Sequence, residues 1–178
     1  MDKIIVIDDF LKKDDLDKAQ SIITNNKWAF GHKSKGTESY EIPFWHMKLD
    51  DEEFFSKYIK NIIEQEFLKK FELIRVYANG QTFGQDGSYH EDTPIEDGRG
   101  DCFTFCLYLC PIPKETIEIA GGYVYFKIPG EKYKICYEPV FNRGLFFPAT
   151  ITHKSSSFCR YIMNIRICVS WKLREIKE

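Results

Sequence analysis

The sequence has no long hydrophobic run, no excess of charge of one sign and no repeated or low-complexity segment. No stretch approaches the roughly 20 apolar residues that a membrane-spanning helix requires. The 25 lysines and arginines are balanced by 27 aspartates and glutamates, which leaves a net charge of −2. Such a balance gives no electrostatic signature for nucleic acid or an anionic membrane. We therefore expect neither a membrane nor a nucleic acid as a partner.

The sequence also lacks a visible secretory signal and a zinc-type pairing of cysteines. The N-terminal Ile-Ile-Val-Ile run is too short for a signal peptide, and acidic residues follow it at once. Six cysteines are present, but the series Cys102, Cys106 and Cys110 lacks the C-x-x-C spacing of a structural zinc site. A chain of 178 residues, 43% hydrophobic, can bury a core without disulfides. We therefore expect a cytoplasmic protein with reduced, mostly buried thiols.

Helical patterns occupy the first part of the chain. Apolar residues at helical spacing predict one helix over 14–26 and a second over 51–70, which Asp50 or Asp51 can cap. The Ile-Ile-Val-Ile run predicts a short strand, and residues 28–49 are interpreted as a loop with one strand around 44–49. The second helix carries a continuous apolar stripe of seven residues: Phe54, Phe55, Tyr58, Ile59, Ile62, Ile63 and Phe67.

From residue 71 onwards the pattern changes to β-branched and aromatic runs separated by turn residues. These runs predict strands over 71–78, 102–109, 122–128, 133–140, 144–148 and 161–171. Turns such as Asn79-Gly80 and Pro129-Gly130 favour antiparallel pairing. The sequence therefore predicts a mainly β fold with flanking helices, a double-stranded β-helix of the jelly-roll or cupin-like kind. One domain would span 1–178, with 1–70 as helical support and 71–173 as the barrel core.

Three residues have the pattern of a metal site. His90 and Asp92 lie two positions apart, so that both project to the same face of an extended chain. His153 lies 61 residues after Asp92, just beyond the apolar strand over 144–148. Two histidines and one carboxylate form the facial triad of iron(II) oxygenases, which leaves open positions on the metal. Zinc would more often take a further histidine or a thiolate. The sequence therefore predicts iron(II) bound by His90, Asp92 and His153.

Two strands place polar side chains on a face that should line the barrel. Thr104 and Tyr108 alternate with Phe103, Phe105 and Leu107 on the first of them. On the last strand Arg166 lies among apolar residues. An inward-facing arginine needs a partner, and its planar fork matches a carboxylate; the alternative is a buried salt bridge within the protein.

Six ordered motifs resemble the iron(II)- and 2-oxoglutarate-dependent oxygenases, in particular their prolyl 4-hydroxylase-like branch. The resemblance covers roughly residues 71–173. It runs through His90-x-Asp92, Leu107-Tyr108-Leu109, Gly121-Gly122 before a Tyr-Phe strand, Gly144-Leu-Phe-Phe-Pro, His153-Lys-Ser and Arg166-Ile-Cys-Val-Ser-Trp171.

This resemblance implies iron(II) at His90, Asp92 and His153 and an activity that consumes 2-oxoglutarate and O2. Arg166, with Tyr108 and Thr104, would bind the distal carboxylate of 2-oxoglutarate, and Tyr77 would also contact it. The family further implies ascorbate as a reductant. Its branch implies hydroxylation of a prolyl or other protein side chain; a free amino acid, a small metabolite or a non-catalytic cupin-like metal-binding module are the alternatives.

Two departures from the family pattern leave alternatives open. Cys110 replaces an asparagine that often follows Tyr-Leu, and thirteen residues separate His153 from Arg166, where about ten are common in the family. The longer spacing makes Arg160 a rival for the carboxylate, although the segment over 155–160 is interpreted as a loop. His32 and His46 have no partners at ligand spacing and are interpreted as exposed or core histidines. Trp45-His46 is a candidate for the mouth of the site, and the sequence leaves the roles of all three residues open.

Overall fold

The computed structural model describes residues 4–25, 27–34, 41–92, 101–110 and 112–177. The helices are α1 (Lys13–Asn25), α2 (Lys60–Phe67), which directly follows a π-helical segment (Phe54–Ile59), and α3 (Ile117–Ala120), which follows a 3₁₀ turn (Lys114–Thr116). The strands are β1 (Ile5–Ile7), β2 (Ala29–His32), β3 (Phe44–Lys48), β4 (Phe71–Gln81), β5 (Cys102–Tyr108), β6 (Val124–Lys127), β7 (Lys134–Tyr137), β8 (Gly144–Pro148), β9 (His153–Ser155) and β10 (Arg166–Glu175).

These strands form two antiparallel sheets. The large sheet has seven strands in the order β1-β8-β5-β10-β4-β3-β2, and the small sheet has three in the order β7-β6-β9. Every pairing between named strands is antiparallel. The predicted mainly β, jelly-roll class is confirmed. β1 extends one edge of the large sheet, where it pairs with β8, and β3 with β2 extends the other, where β3 pairs with β4.

The two faces of the large sheet bury different kinds of residue. Phe105, Leu107 and Trp171 project to one face, where they pack with the helices. Tyr108 and Cys168 project to the other, where they pack with β6 of the small sheet. This alternation is the one predicted from the sequence of β5 and β10, since neighbouring residues of a strand face opposite sides. The second face is therefore the inside of the barrel.

The apolar stripe of the second helical segment packs on the outer face, as predicted. Phe55, Ile59 and Ile63 are fully buried, and the Trp171 indole N–H donates to the Phe55 carbonyl at 2.9 Å. Tyr58 is the exception, because it is about half exposed at the surface. The predicted aspartate caps are wrong for this helix: the π-helical segment begins at Phe54 with no side-chain cap.

The structure corrects several of the predicted strands and turns. The predicted turn at Asn79-Gly80 lies inside β4, and β9 was not among the predicted strands. Residues 161–165 precede β10 and do not belong to it: Tyr161 and Met163 are 75% and 91% exposed, as suits a loop. Residues 28–49 contain two strands, β2 and β3, which pair as a hairpin. No disulfide joins the six cysteines, all of which lie in the described part of the chain. None of the described helices combines the length and apolar character needed to cross a membrane.

Candidate metal and co-substrate site

Backbone pairing at the mouth of the barrel brings His90 and His153 together. Each donates its backbone N–H to the carbonyl of the other, at 3.0 Å and 2.8 Å. Asp92 is fixed in the same way, because its N–H donates to the Ala149 carbonyl at 2.9 Å. These hydrogen bonds hold the loop that carries the H-x-D motif against two segments, the residue that follows β8 and the first residue of β9.

The three predicted metal ligands converge. Nε2 of His90 lies 3.6 Å from Oδ1 of Asp92, and Nε2 of His153 lies 3.4 Å from Oδ2. One ligand atom from each residue lies within 4.8 Å of the other two. Among the described residues this is the one group of three histidine, cysteine or acidic side chains with such geometry.

The hydrogen bonds of the two rings suit a metal ion. Nδ1 of His90 faces the Ser88 carbonyl and Nδ1 of His153 faces the Ile151 carbonyl, both at 2.9 Å. A carbonyl oxygen only accepts, so in the neutral rings Nδ1 carries the proton and Nε2 keeps its lone pair. Burial lowers the pKa of His153 to about 4, although the Asp92 carboxylate opposes this. The Nε2 lone pairs of His90 and His153 and the carboxylate of Asp92 therefore face one another. A divalent cation bound between them would stabilise this arrangement.

Asp92 has two further partners, which also pin its orientation. The ammonium of Lys172 on β10 contacts Oδ2 directly, and the hydroxyl of Thr104 on β5 donates to the same oxygen at 2.7 Å. Burial would raise the pKa of Asp92, but the Lys172 ammonium and both histidines hold it well below its usual range. Asp92 is therefore a carboxylate with one oxygen held by the protein and the other turned towards His90.

Lys172 was not among the site residues predicted from the sequence. The sequence does indicate that its side chain faces inward. Arg166, Cys168 and Ser170 face inward, and Lys172 is the next residue in this alternation. Thr104 also has a different neighbourhood from the one predicted. It lies beside Asp92 and Lys172 rather than with Tyr108 at the Arg166 end of the strand.

A small cavity of about 50 Å³ extends from the metal ligands to Arg166. Polar and sulfur-containing side chains of β4, β5 and β10 line most of it. The lining residues are Tyr77, Asn79, His90, Cys106, Tyr108, Val124, His153, Ser155, Arg166, Cys168, Ser170 and Lys172. The predicted co-substrate residues Tyr77, Tyr108 and Arg166 are among them, whereas Thr104 is not.

Arg166 is held in place at the far end of this cavity and is only 2% exposed. Its Nε donates to the Gly122 carbonyl at 2.6 Å and its Nη1 to the Gln81 side-chain oxygen at 2.9 Å. Its guanidinium lies 5.1 Å from the centre of the Tyr108 ring. Both hydrogen-bond partners are neutral, so these contacts leave its charge uncompensated. Arg160 is exposed instead, where it contacts Tyr161.

A larger cleft of about 600 Å³ opens next to the metal ligands. Tyr77, Asn79, His90 and Ser155 line both this outer cleft and the small cavity. The other residues that line the outer cleft are Gly31, His32, Lys33, Ser34, Phe44, Arg75 and Asp92. The two spaces therefore adjoin at the metal ligands.

His32 lines this outer cleft, and its ring centre lies 5.3 Å from that of His46, which is not one of the lining residues. Burial, followed by the nearby His46 and Arg75, lowers the pKa of His32 to about 4. The His32 ring is therefore neutral at pH 7. Trp45, which neighbours His46 on β3, is partly exposed and contacts Phe30, with tilted rings whose centres lie 5.1 Å apart.

Gly122 links the barrel wall to Arg166, and its replacement by alanine should be costly. Its φ is +75°, and an added Cβ would lie 2.6 Å from the Phe158 ring. We expect Gly122→Ala to lower the free energy of unfolding by about 1–3 kcal/mol through strain and overlap. Gly130→Ala is the matched control, because its φ is +80° but nothing lies within 4 Å of an added Cβ. Denaturant unfolding should show the larger loss for Gly122; equal losses would contradict the packing argument.

The sequence matches no protein-family model and no curated protein. The fold is similar to that of a Trichoplax adhaerens prolyl hydroxylase, solved with a hypoxia inducible factor oxygen degradation domain peptide. That structure has a TM-score of 0.73 at 15% identity, over 98% of this chain and 84% of that one.

Two bacterial structures give the same result. A Pseudomonas putida prolyl-4-hydroxylase has a TM-score of 0.71 at 15% identity, over 100% of this chain and 95% of that one. An oxidoreductase of the 2OG-Fe(II) oxygenase family from Burkholderia pseudomallei has a TM-score of 0.71 at 9% identity, over 96% and 85%. At such identities the likeness establishes the fold, and the chemistry depends on the residues of the site.

Proposed function

We propose that the chain is an iron(II)- and 2-oxoglutarate-dependent dioxygenase that hydroxylates a C–H bond. One observation carries the proposal: His90, Asp92 and His153 converge beside a cavity whose far end holds the buried, uncompensated Arg166. A metal at one end and a guanidinium at the other fit a dicarboxylate with a keto group beside one carboxylate. The similar fold of a 2OG-Fe(II) oxygenase supports this assignment.

Different residues of the site would hold the metal and the 2-oxoglutarate. Iron(II) would be held by His90, Asp92 and His153, and the distal carboxylate of 2-oxoglutarate by Arg166, with Tyr108 and Tyr77 lining its site. When bound, the iron and 2-oxoglutarate would supply the oxidant together with O2, with release of succinate and CO2. Ascorbate is the expected reductant that keeps the iron as iron(II).

The remaining work of the protein is orientation and charge control. Thr104 and Lys172 hold Oδ2 of Asp92, so that this ligand keeps one geometry. The carbonyls of Ser88 and Ile151 fix the histidine tautomers with Nε2 free for the metal. Gln81 and Gly122 hold Arg166 in position before any carboxylate arrives. Such preorganisation reduces the entropy that binding would otherwise lose.

The outer cleft is the proposed site of the C–H substrate, because it adjoins the metal ligands and opens to solvent. One prolyl hydroxylase of similar fold was solved with a peptide fragment. By analogy, a prolyl or other side chain of a peptide is our first candidate substrate. A free amino acid or small metabolite is the second, since a cleft of about 600 Å³ accommodates either.

The proposed activity is tested by succinate formation. Purified protein with iron(II), 2-oxoglutarate and ascorbate in air should release succinate, and omission of iron or 2-oxoglutarate should abolish it. Mass spectrometry of candidate peptides and amino acids from the same reactions should show the gain of one oxygen. A protein that binds metal in His90, Asp92 and His153 but never forms succinate would be a non-catalytic cupin-like module.

A further inference from the structure

The outer cleft has the opposite electrostatic character from the chain as a whole. The protein carries a net charge of −2. The described residues that line the cleft nevertheless include two cationic side chains, Lys33 and Arg75, and one acidic side chain, Asp92. Asp92 already contacts the Lys172 ammonium and belongs to the metal ligands. Arg75 is therefore a cationic side chain of the cleft wall that Asp92 does not balance.

Positive charge is still in excess when the charges of the metal and of 2-oxoglutarate are added, a step that rests on the proposed function. Bound iron(II) would be neutralised by Asp92 together with the 1-carboxylate of 2-oxoglutarate. The distal carboxylate of 2-oxoglutarate would be matched by Arg166. The ammonium of Lys172 then shares the Asp92 carboxylate with the metal, and none of the described residues offers a carboxylate to the guanidinium of Arg75. These two residues lie opposite each other on neighbouring strands.

Arg75 is presented so that it can receive an anion. The central carbon of its guanidinium lies over the Tyr77 ring, 4.9 Å from the centre of the ring. This cation–π contact uses none of the guanidinium N–H donors, which can therefore form a bidentate contact with a carboxylate. Within residues 4–25, 27–34, 41–92, 101–110 and 112–177, no carboxylate forms an ion pair with it.

Asn79 adds a second, complementary group to the same wall. It lines the cleft, and its side-chain oxygen is buried without a hydrogen-bond partner among the described residues. A buried acceptor without a partner costs free energy, and an N–H donor on a ligand would remove that cost. Asn79 and Arg75 project to the same side of β4, since they are four positions apart on one strand.

We propose that the outer cleft recognises a substrate by a carboxylate, which Arg75 receives, on a unit that also offers an N–H to Asn79. Two sources share this chemistry: an N-acylated amino acid or peptide C-terminus, and an aspartyl or glutamyl side chain within a peptide. Either would place a single negative charge beside the metal ligands, where the positive charge is in excess.

The test compares probes that differ only in charge. Iron(II)-loaded protein with saturating 2-oxoglutarate is kept under argon, so that no turnover occurs and the Arg166 site is filled. One series contains N-acetyl amino acids and their methylamides. The other contains capped tripeptides with Asp or Glu and their Asn or Gln counterparts. Dissociation constants are measured by ligand-observed nuclear magnetic resonance.

At least one acid should bind tenfold or more tightly than its neutral counterpart, and the series in which it occurs identifies the source of the carboxylate. Arg75→Gln should remove this preference without changing the affinity for 2-oxoglutarate. Arg160→Gln, which removes the same charge from an exposed arginine outside the cleft, should keep it. No preference in either series, including no binding at all, overturns the proposal, as does a preference that survives Arg75→Gln.

The same samples separate this proposal from the proposed function. If 2-oxoglutarate binds but the carboxylate preference is missing, the dioxygenase assignment stands and the anion site is wrong. If 2-oxoglutarate does not bind while an acid preference depends on Arg75, the anion site stands and the co-substrate assignment is wrong.

Discussion

Replacing Asp92 with alanine should abolish metal binding and also destabilise the metal-free protein. The metal loses one of its three ligands. The ammonium of Lys172, whose side chain is only 8% exposed, loses its carboxylate partner. Removing one member of a buried ion pair typically costs about 3–5 kcal/mol, because the other charge is left uncompensated. We therefore expect a loss of this order in the free energy of unfolding.

The double variant Asp92→Ala with Lys172→Met separates the two effects. Methionine occupies much of the lysine's volume without its charge, so most of the lost stability should return. Metal binding should not return, because the ligand is still missing. Denaturant unfolding of the metal-free variants, with Lys172→Met alone to complete the cycle, gives the coupling free energy. Calorimetric titration with iron(II) gives the metal affinity.

Two outcomes would contradict this expectation. If Asp92→Ala is as stable as the parent protein, Lys172 does not depend on Asp92 in the folded state. If the double variant binds iron(II) as the parent does, Asp92 is not a ligand.

Arg166→Lys should raise the 2-oxoglutarate concentration needed for half-maximal turnover by about tenfold to a hundredfold. One ammonium cannot reproduce the two parallel hydrogen bonds of a guanidinium with a carboxylate. The expected size follows from the loss of one charge-assisted hydrogen bond, about 1.5–3 kcal/mol. Succinate formation at varied 2-oxoglutarate concentration measures the change. An unfolding experiment on the same variant shows whether the contacts with Gln81 and Gly122 survive.

Arg160→Lys is the matched control for this substitution. Arg160 is exposed and contacts Tyr161, so the half-maximal concentration should stay near that of the parent protein. If Arg160→Lys raised that concentration and Arg166→Lys did not, the long spacing after His153 would have placed the wrong arginine at the carboxylate.

The class of fold follows from the sequence because it depends on short-range patterns. Strict alternation on β5 and β10 separates Phe105 and Trp171 from Tyr108 and Cys168, and the structure buries these pairs on opposite faces of the large sheet. The same reasoning fails at residues 161–165. Their apolar side chains suggest a strand, but the chain has to cross from β9 to β10 there and turns through the exposed Tyr161 and Met163.

The site was predictable where a residue type and its spacing carry the chemistry. The convergence of His90, Asp92 and His153 was of this kind. Lys172 was not recognised, because its meaning depends on Asp92, 80 residues away, which only the folded chain brings into contact. The prediction placed Thr104 beside Arg166 together with Tyr108, although Thr104 and Tyr108 are four positions apart on β5. Along β5 that distance separates the metal end of the cavity from its arginine end.

The most direct test of the account is anomalous diffraction at the iron absorption edge, from crystals grown under argon with iron(II) and 2-oxoglutarate. One peak is expected between Nε2 of His90, Nε2 of His153 and the carboxylate of Asp92. Density for 2-oxoglutarate is also expected to run from this peak to the guanidinium of Arg166. An iron peak elsewhere in the molecule, or 2-oxoglutarate bound away from Arg166, would contradict the account.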